Sequence, residues 1–155
     1  MSAAADKVRA VLQEKGATGE VVRLTVDVPT AAAAAAELGC EVGAIANSLV
    51  FNAGGEPVLI LTSGAHRVDT KHVARTIGLP KLKRAEPDFV FEHTGQRVGG
   101  VAPVGHPKPI RTLVDTWLRN HDQVWAAGGA AEFVFPTTFD ELLRLTDGVA
   151  VDVEP

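Results

Sequence analysis

A chain of 155 residues, 46% apolar and 22% charged, has the balance of a globular protein and can bury one substantial core, which excludes disorder for its bulk. Its net charge of −4 excludes a protein that holds duplex nucleic acid by broad phosphate neutralisation, leaving such a role to a local patch or to recognition of one end of a molecule. No apolar run reaches the roughly 20 residues of a membrane span, Met1 to Lys15 lacks the apolar centre of a secretion signal, and the lone Cys40 permits no internal disulfide, so the expected compartment is the cytoplasm.

In chain order, Ala3 to Gln13 places Val8, Val11 and Leu12 on one helical face and stops near Gly16. Val21, Val22, Leu24 and Val26 predict a strand. Pro29 and Thr30 lead into a helix from Ala31 to Leu38, with Thr30 as N-cap and Gly39 as stop. Its alanine run is read as a closely packed helix, because alanine is the best helix former. A hairpin follows, with strands Ala44 to Phe51 and Val58 to Thr62 around the Gly-rich turn Asn52 to Glu56. Val68 to Ile77 predicts a helix capped by Asp69 and closed by Gly78 and Pro80.

The basic stretch of Lys81, Lys83 and Arg84 precedes a short helix, Glu86 to His93, that ends at Gly95. Val98 to Pro109 is too rich in Gly and Pro for either regular element. Ile110 to Leu118, Gln123 to Ala127 and Phe133 to Phe135 predict short strands. Thr138 caps a last helix, Phe139 to Leu145, and Val149 to Val153 forms a final strand. Helices and strands do not alternate regularly. That pattern argues for one α+β domain over residues 1–155, with its core from about residue 21 to 151 and a mixed, mostly antiparallel sheet.

Several groups of residues carry candidate chemistry. The loop Gly99-Gly100-Val101-Ala102-Pro103-Val104-Gly105 makes a tight turn whose amides can meet a phosphate or a developing oxyanion, although the same glycines would serve a plain surface loop. Asn47-Ser48 lies inside an apolar strand, where unpaired polar groups cost free energy. Strand alternation sends the two to opposite faces, so at most one enters a common pocket. His66, His72, His93, His106 and His121 lack metal-ligand spacing, and no metal or other cofactor is expected; His106, just after the loop, is the candidate for acid/base or binding work.

Cys40, Ser48 and Ser63 lack a nucleophile's context. Arg67, Lys71, Arg75, Lys81, Lys83 and Arg84, with Lys108 and Arg111, form either a patch for a phosphodiester backbone or an ordinary solvated face.

Four stretches, taken together and in order, resemble the YbaK/EbsC family, whose fold is shared with the editing domain of bacterial prolyl-tRNA synthetases. They are Ile45 to Phe51; Leu61 to Asp69; Thr94-Gly95 with Val98 to Gly105; and Val124-Trp125-Ala126-Ala127-Gly128-Gly129. The resemblance implies a partly barrel-like sheet flanked by helices. It also implies trans-acting hydrolysis of the ester of a mischarged aminoacyl-tRNA, with tRNA for proline carrying alanine or cysteine as the expected substrate. Such a site answers the inability of a proline-sized pocket to reject smaller amino acids by binding alone.

On this resemblance Asn47, Gly99, Gly100 and Pro103 are the catalytic set. Ser48, Val101, Ala102, His106, Gly128 and Gly129 bind substrate. Arg67, Lys71, Lys81, Lys83 and Arg84 meet the tRNA. The attacking group is water, helped by the substrate's own hydroxyl or thiol, and the partners are the acceptor end of aminoacyl-tRNA and a prolyl-tRNA synthetase. Many members have lysine where this chain has Asn47, which supports an alternative: a module of the same fold that binds aminoacyl-tRNA or a related small ligand without turnover.

Overall fold

The computed structural model describes residues 2–24 and 30–155. The helices among them are α1 (Ala3–Glu14), α2 (Ala31–Leu38), α3 (Thr70–Ile77), α4 (Pro87–Thr94) and α5 (Phe139–Thr146). The strands are β1 (Val22–Arg23), β2 (Ile45–Ala53), β3 (Glu56–Ser63), β4 (Leu82–Arg84), β5 (Arg111–Asp115), β6 (Val124–Ala127), β7 (Phe133–Thr137) and β8 (Val149–Val151). Local chemistry sets many of these bounds. Thr30, Asp69 and Thr138 accept from the amides of Ala33, His72 and Glu141, as N-caps do, and α2 and α3 end at the left-handed Gly39 and Gly78. The predicted strand over Val21 to Val26 is realised as β1, while Val26 and Pro29 lie outside the described residues.

One expectation changes. The strand predicted to run from Ile110 to Leu118 ends at Asp115, and Thr116–Asn120 forms a 3-10 turn. The Asp115 carboxylate causes the break, since it accepts from the amide of Trp117 and so caps the turn. Within the basic stretch, to which the sequence assigned no element, Leu82–Arg84 is β4, which pairs with the far end of β2.

All eight strands form one sheet in the order β1-β7-β6-β2-β3-β5-β8, with β4 also on β2. The pairings β1–β7, β2–β3, β2–β4 and β6–β7 are antiparallel, and β2–β6, β3–β5 and β5–β8 are parallel. Alternation along the strands gives the sheet two apolar faces. On one, Ala46, Val50, Leu59, Leu61 and Phe135 pack with Val8 and Leu12 of α1 and with α5. On the other, Phe51, Val58 and Ile60 pack with Val73 of α3, while Ile45 meets Ala34 and Ala35 of α2. Two helix-covered faces agree with the α+β, mostly antiparallel architecture expected from the sequence.

Two buried carboxylates tie distant segments together. Asp115, fully buried, accepts from Ser63 N at 2.9 Å, Trp117 N at 2.9 Å, His66 Nδ1 at 3.0 Å and Thr62 Oγ1 at 3.3 Å. Glu141 of α5 accepts from Thr137 Oγ1 at 2.6 Å and from Thr18 N and Oγ1 at 3.1 Å each.

Burial pushes the Glu141 carboxyl up, but the bonds from Thr137 and Thr18 and the nearby Arg144 outweigh it and hold the group below its ordinary value of 4.5. A depressed folded value means stability that is present above the unfolded value and lost as pH falls through the folded one. Glu141→Gln is therefore expected to lower stability at pH 7 by about 2 kcal/mol and to flatten the acid limb of the stability curve below about pH 4.5. Denaturant melts across pH 3–7 check this; an unchanged acid limb would assign the pH dependence to other carboxylates.

Candidate functional site

Strand β2 is flanked along its whole length by β3, but on its other edge it has two short partners. There β6 pairs with Ile45 and Ala46, and β4 pairs with Phe51 to Ala53. Between them the edge of β2 is open from Asn47 to Leu49, and the carbonyl of Val50 accepts from the amide of Ala85. Alternation sends the peptide groups of Ser48 toward the same side as that carbonyl, into the gap.

A cavity of about 640 Å³ occupies the gap. Because it passes through the sheet, both faces line it: Ala34, Ile45 and Trp125 from one, and Val90, Val101 and Ala126 from the other. This overturns the expectation that at most one of Asn47 and Ser48 enters a common pocket. Their side chains do leave β2 on opposite faces, yet both line the cavity, which straddles the strand's open edge.

The residues that line it are mostly apolar, with Thr30, Asn47, Ser48 and Arg84 the polar ones. Ser48 Oγ is buried and has no hydrogen-bond partner. Almost all buried polar atoms are paired, so this hydroxyl, shut off from the cavity that its own residue lines, is a group the fold leaves unsatisfied beside it. Arg84 is the one ionisable side chain among the described residues that line the cavity, and a guanidinium neither attacks nor accepts a proton. Among the described residues no three His, Cys, Asp or Glu side chains converge as metal ligands do.

The Gly-rich loop reaches the cavity through Val98, Gly99 and Val101. Gly99 has φ +97°, a conformation that L side chains rarely adopt. Two of the loop's amides are engaged within the protein: Gly100 N donates to Arg97 O at 3.1 Å, and Ala102 N donates to Gln96 Oε1 at 2.6 Å. Gly99 and Val101 are the loop residues that, with Val98, line the cavity.

Gln96 is 2% exposed and also donates through Nε2 to Val104 O, bracing the loop from behind. His106 does the same, donating from Nε2 to Ala102 O at 2.8 Å. Burial pushes its imidazole below the ordinary value; the Ala102 carbonyl opposes this, and Lys7 adds to it. A neutral ring is thus kept in its bracing role at neutral pH.

The structure brings Asn47, Ser48, Arg84, Gly99 and Val101 together on one wall and leaves the other predicted residues off it. Gly100, Ala102 and Pro103 are buried behind the wall. A Cβ at Gly100 would lie 2.5 Å from the Ala130 backbone, so glycine is needed there for loop-on-loop contact, and a bulky residue would part the two loops rather than plug the cavity. Gly129 abuts Ala4 of α1 in the same way, and Gly128 abuts Val21 and Phe133. Lys81 and Lys83 are exposed next to Arg84, whereas Arg67 and Lys71 sit exposed at the start of α3 and line no cavity.

Gln96, Trp125, Val90 and the alanines of α2 were not singled out as site residues from sequence. Trp125 stands in a stretch that carries the resemblance, but a glutamine inside a turn and alanines inside a helix bear no periodic or motif signal.

The chain belongs to the aminoacyl-tRNA editing domain family, whose model matches residues 25–145. It is 31% identical over 124 residues to a protein of Bacillus subtilis (strain 168) described as uncharacterized protein YwhH, covering 79% of this chain and 78% of that one. It is also 31% identical over 130 residues to the proline–tRNA ligase of Nitratidesulfovibrio vulgaris (strain Hildenborough), covering 81% of this chain but only 22% of the ligase. Among solved structures, a candidate trans-editing enzyme for prolyl tRNA synthetase superposes with a TM-score of 0.93 at 39% identity, covering 100% of this chain and 99% of that one.

Proposed function

We propose that the chain is a single, trans-acting editing domain that hydrolyses the ester of mischarged aminoacyl-tRNA, with tRNA for proline carrying a small non-cognate amino acid as substrate. The observation that carries this reading is the cavity at the open edge of β2, whose lining offers no proton acceptor and no activated nucleophile, with the unpartnered Ser48 hydroxyl buried beside it. Water adds to the ester carbonyl carbon, negative charge gathers on the carbonyl oxygen, and the bond to the terminal ribose oxygen breaks as that oxygen takes up a proton.

The protein's part is to place donors where charge develops. The donors suited to the oxyanion are the amides of Gly99 and Val101 and the Ser48 Oγ–H, which rotates from its buried position toward the cavity when substrate enters. The Asn47 carboxamide, with a donor and an acceptor on a short stem, holds the water or the terminal ribose. The proton leaving the water is relayed through a hydroxyl of the substrate to the departing ribose oxygen or passes to solvent, because the cavity lining supplies no base. Arg84, with Lys81 and Lys83 beside it, suits the phosphates of the acceptor end.

The test is deacylation of tRNA for proline charged separately with alanine, cysteine and serine, with prolyl-tRNA as the control. Selective loss of one mischarged species is the expected result. Retained binding without hydrolysis of any of them would instead establish the silent-module reading, which the absence of a cavity-lining amine at position 47 favours.

A further inference from the structure

Next to the cavity lies a shallow groove lined by Pro87, Asp88, Phe91, Glu92, Arg97 and Val98. Pro87 and Val98 line the cavity as well, so the two are continuous. Helix α4 buries Val90 and Thr94 but turns Phe91 outward, 48% exposed, beside Val98 at 56%. Isolated exposed apolar residues are ordinary, but an aromatic ring and a valine side by side at a cavity mouth form a patch. The Arg97 guanidinium lies over the Phe91 ring, 5.1 Å from its centre. Through its carbonyl, which accepts from Gly100 N, Arg97 is tied to the loop that walls the cavity.

We propose that this groove is a stacking subsite for the base that precedes the terminal nucleoside of a single-stranded RNA 3′ end, a cytosine in a CCA terminus; the proposal rests on the editing reading of the adjoining cavity. If the terminal aminoacyl-nucleoside occupies the cavity, the preceding nucleotide leaves over Pro87 and Val98, and Phe91 is the aromatic face next to that path. Aromatic stacking holds a base without regard to its pairing edge, and the neighbouring guanidinium adds a cation for the phosphodiester. Asp88 and Glu92 repel phosphate from the outer rim but accept from the exocyclic amine that cytosine presents. The groove therefore takes the base inward and leaves the phosphate to Arg97.

The test uses the intact protein and two fluorescently labelled hairpin RNAs, one with a full CCA overhang and one with the overhang trimmed to a single adenosine. By anisotropy, Phe91→Ala and Arg97→Ala should each weaken binding of the CCA hairpin, the former about tenfold, as loss of one stacked base does. Phe91→Trp should bind it at least as well as the natural protein. The trimmed hairpin should bind the natural protein and Phe91→Ala alike. Because the Phe91 side chain is exposed, the melting temperature should not move, which separates a lost contact from a lost fold.

Equal affinity of the natural protein and Phe91→Ala for the CCA hairpin would overturn the proposal, and is also what a groove serving a protein partner would give. So would failure of the natural protein to prefer the CCA hairpin. Deacylation without Phe91 dependence would retain the editing reading and discard the subsite. Phe91-dependent binding without deacylation of any mischarged tRNA would do the reverse.

Discussion

Ser48→Ala is expected to make the protein more stable and the proposed ester hydrolysis slower. The Ser48 Oγ is buried without a partner, so the folded state bears its desolvation and gains no bond in return. Such a group costs about 1–3 kcal/mol, and alanine, which keeps the Cβ and removes the orphan, should recover about 1 kcal/mol of it. The same hydroxyl is proposed to donate to the oxyanion, where loss of one donor lowers the rate by about 100-fold or more.

Opposite signs in the two measurements make the prediction sharp. A denaturant midpoint that rises while single-turnover deacylation falls would mark Ser48 as a group held unsatisfied for its ligand. A lower midpoint with an unchanged rate would mean instead that the hydroxyl serves the fold. Ala34, Ala46, Ala126 and Ala127 keep the cavity open, lining it with small side chains where larger ones would fill it.

The largest loss of stability is expected at Asp115. Removing this carboxylate by Asp115→Ala strands four donors, from Thr62, Ser63, His66 and Trp117, two of them fully buried and two partly buried. Breaking a buried charged network of this kind costs about 3–5 kcal/mol, enough to lower the melting temperature of a domain of this size by about 10 °C or more.

Asp115→Asn keeps the shape and half the acceptors, so it should fall between the natural protein and the alanine variant. The effect reaches the site through register: Thr62, one of the four donors, pairs with Asn47 across β2 and β3. Thermal melts of the two variants check the order. A loss below about 1 kcal/mol for Asp115→Ala would show that the donors find other partners on relaxation.

Much of the fold was legible because it is written in short range. Thr30, Asp69 and Thr138 cap their helices, Gly39 and Gly78 stop theirs, and Asn52 Oδ1 accepts from Gly55 N in the hairpin turn, all with partners no more than three or four residues away. Periodicity placed the elements, and misjudged them where a side-chain cap or a distant strand edge decides. Residues Ile110 to Leu118 carry a strand-like pattern that stops at Asp115 because its carboxylate turns back on Trp117. Leu82–Arg84 looks like a charged patch until β2 offers it an edge.

The site divides in the same way. By itself the sequence determined which residues could bear the chemistry: the Asn47-Ser48 pair, the Gly99–Pro103 loop, the basic run ending at Arg84, and the lack of any metal-ligand spacing or nucleophile's context. These are matters of residue type and local spacing. Only the tertiary structure decided which of them meet. Strand alternation parts Asn47 from Ser48, and they share a wall because β6 and β4 each cover one end of β2 and leave its middle open. It also moved His106 and Gly100 from the wall to the support behind it, and brought in Gln96 and Trp125. The physical reason is that a gap in a sheet is set by how many residues each neighbouring strand pairs, a property of contacts far apart in the chain that no window of local sequence contains.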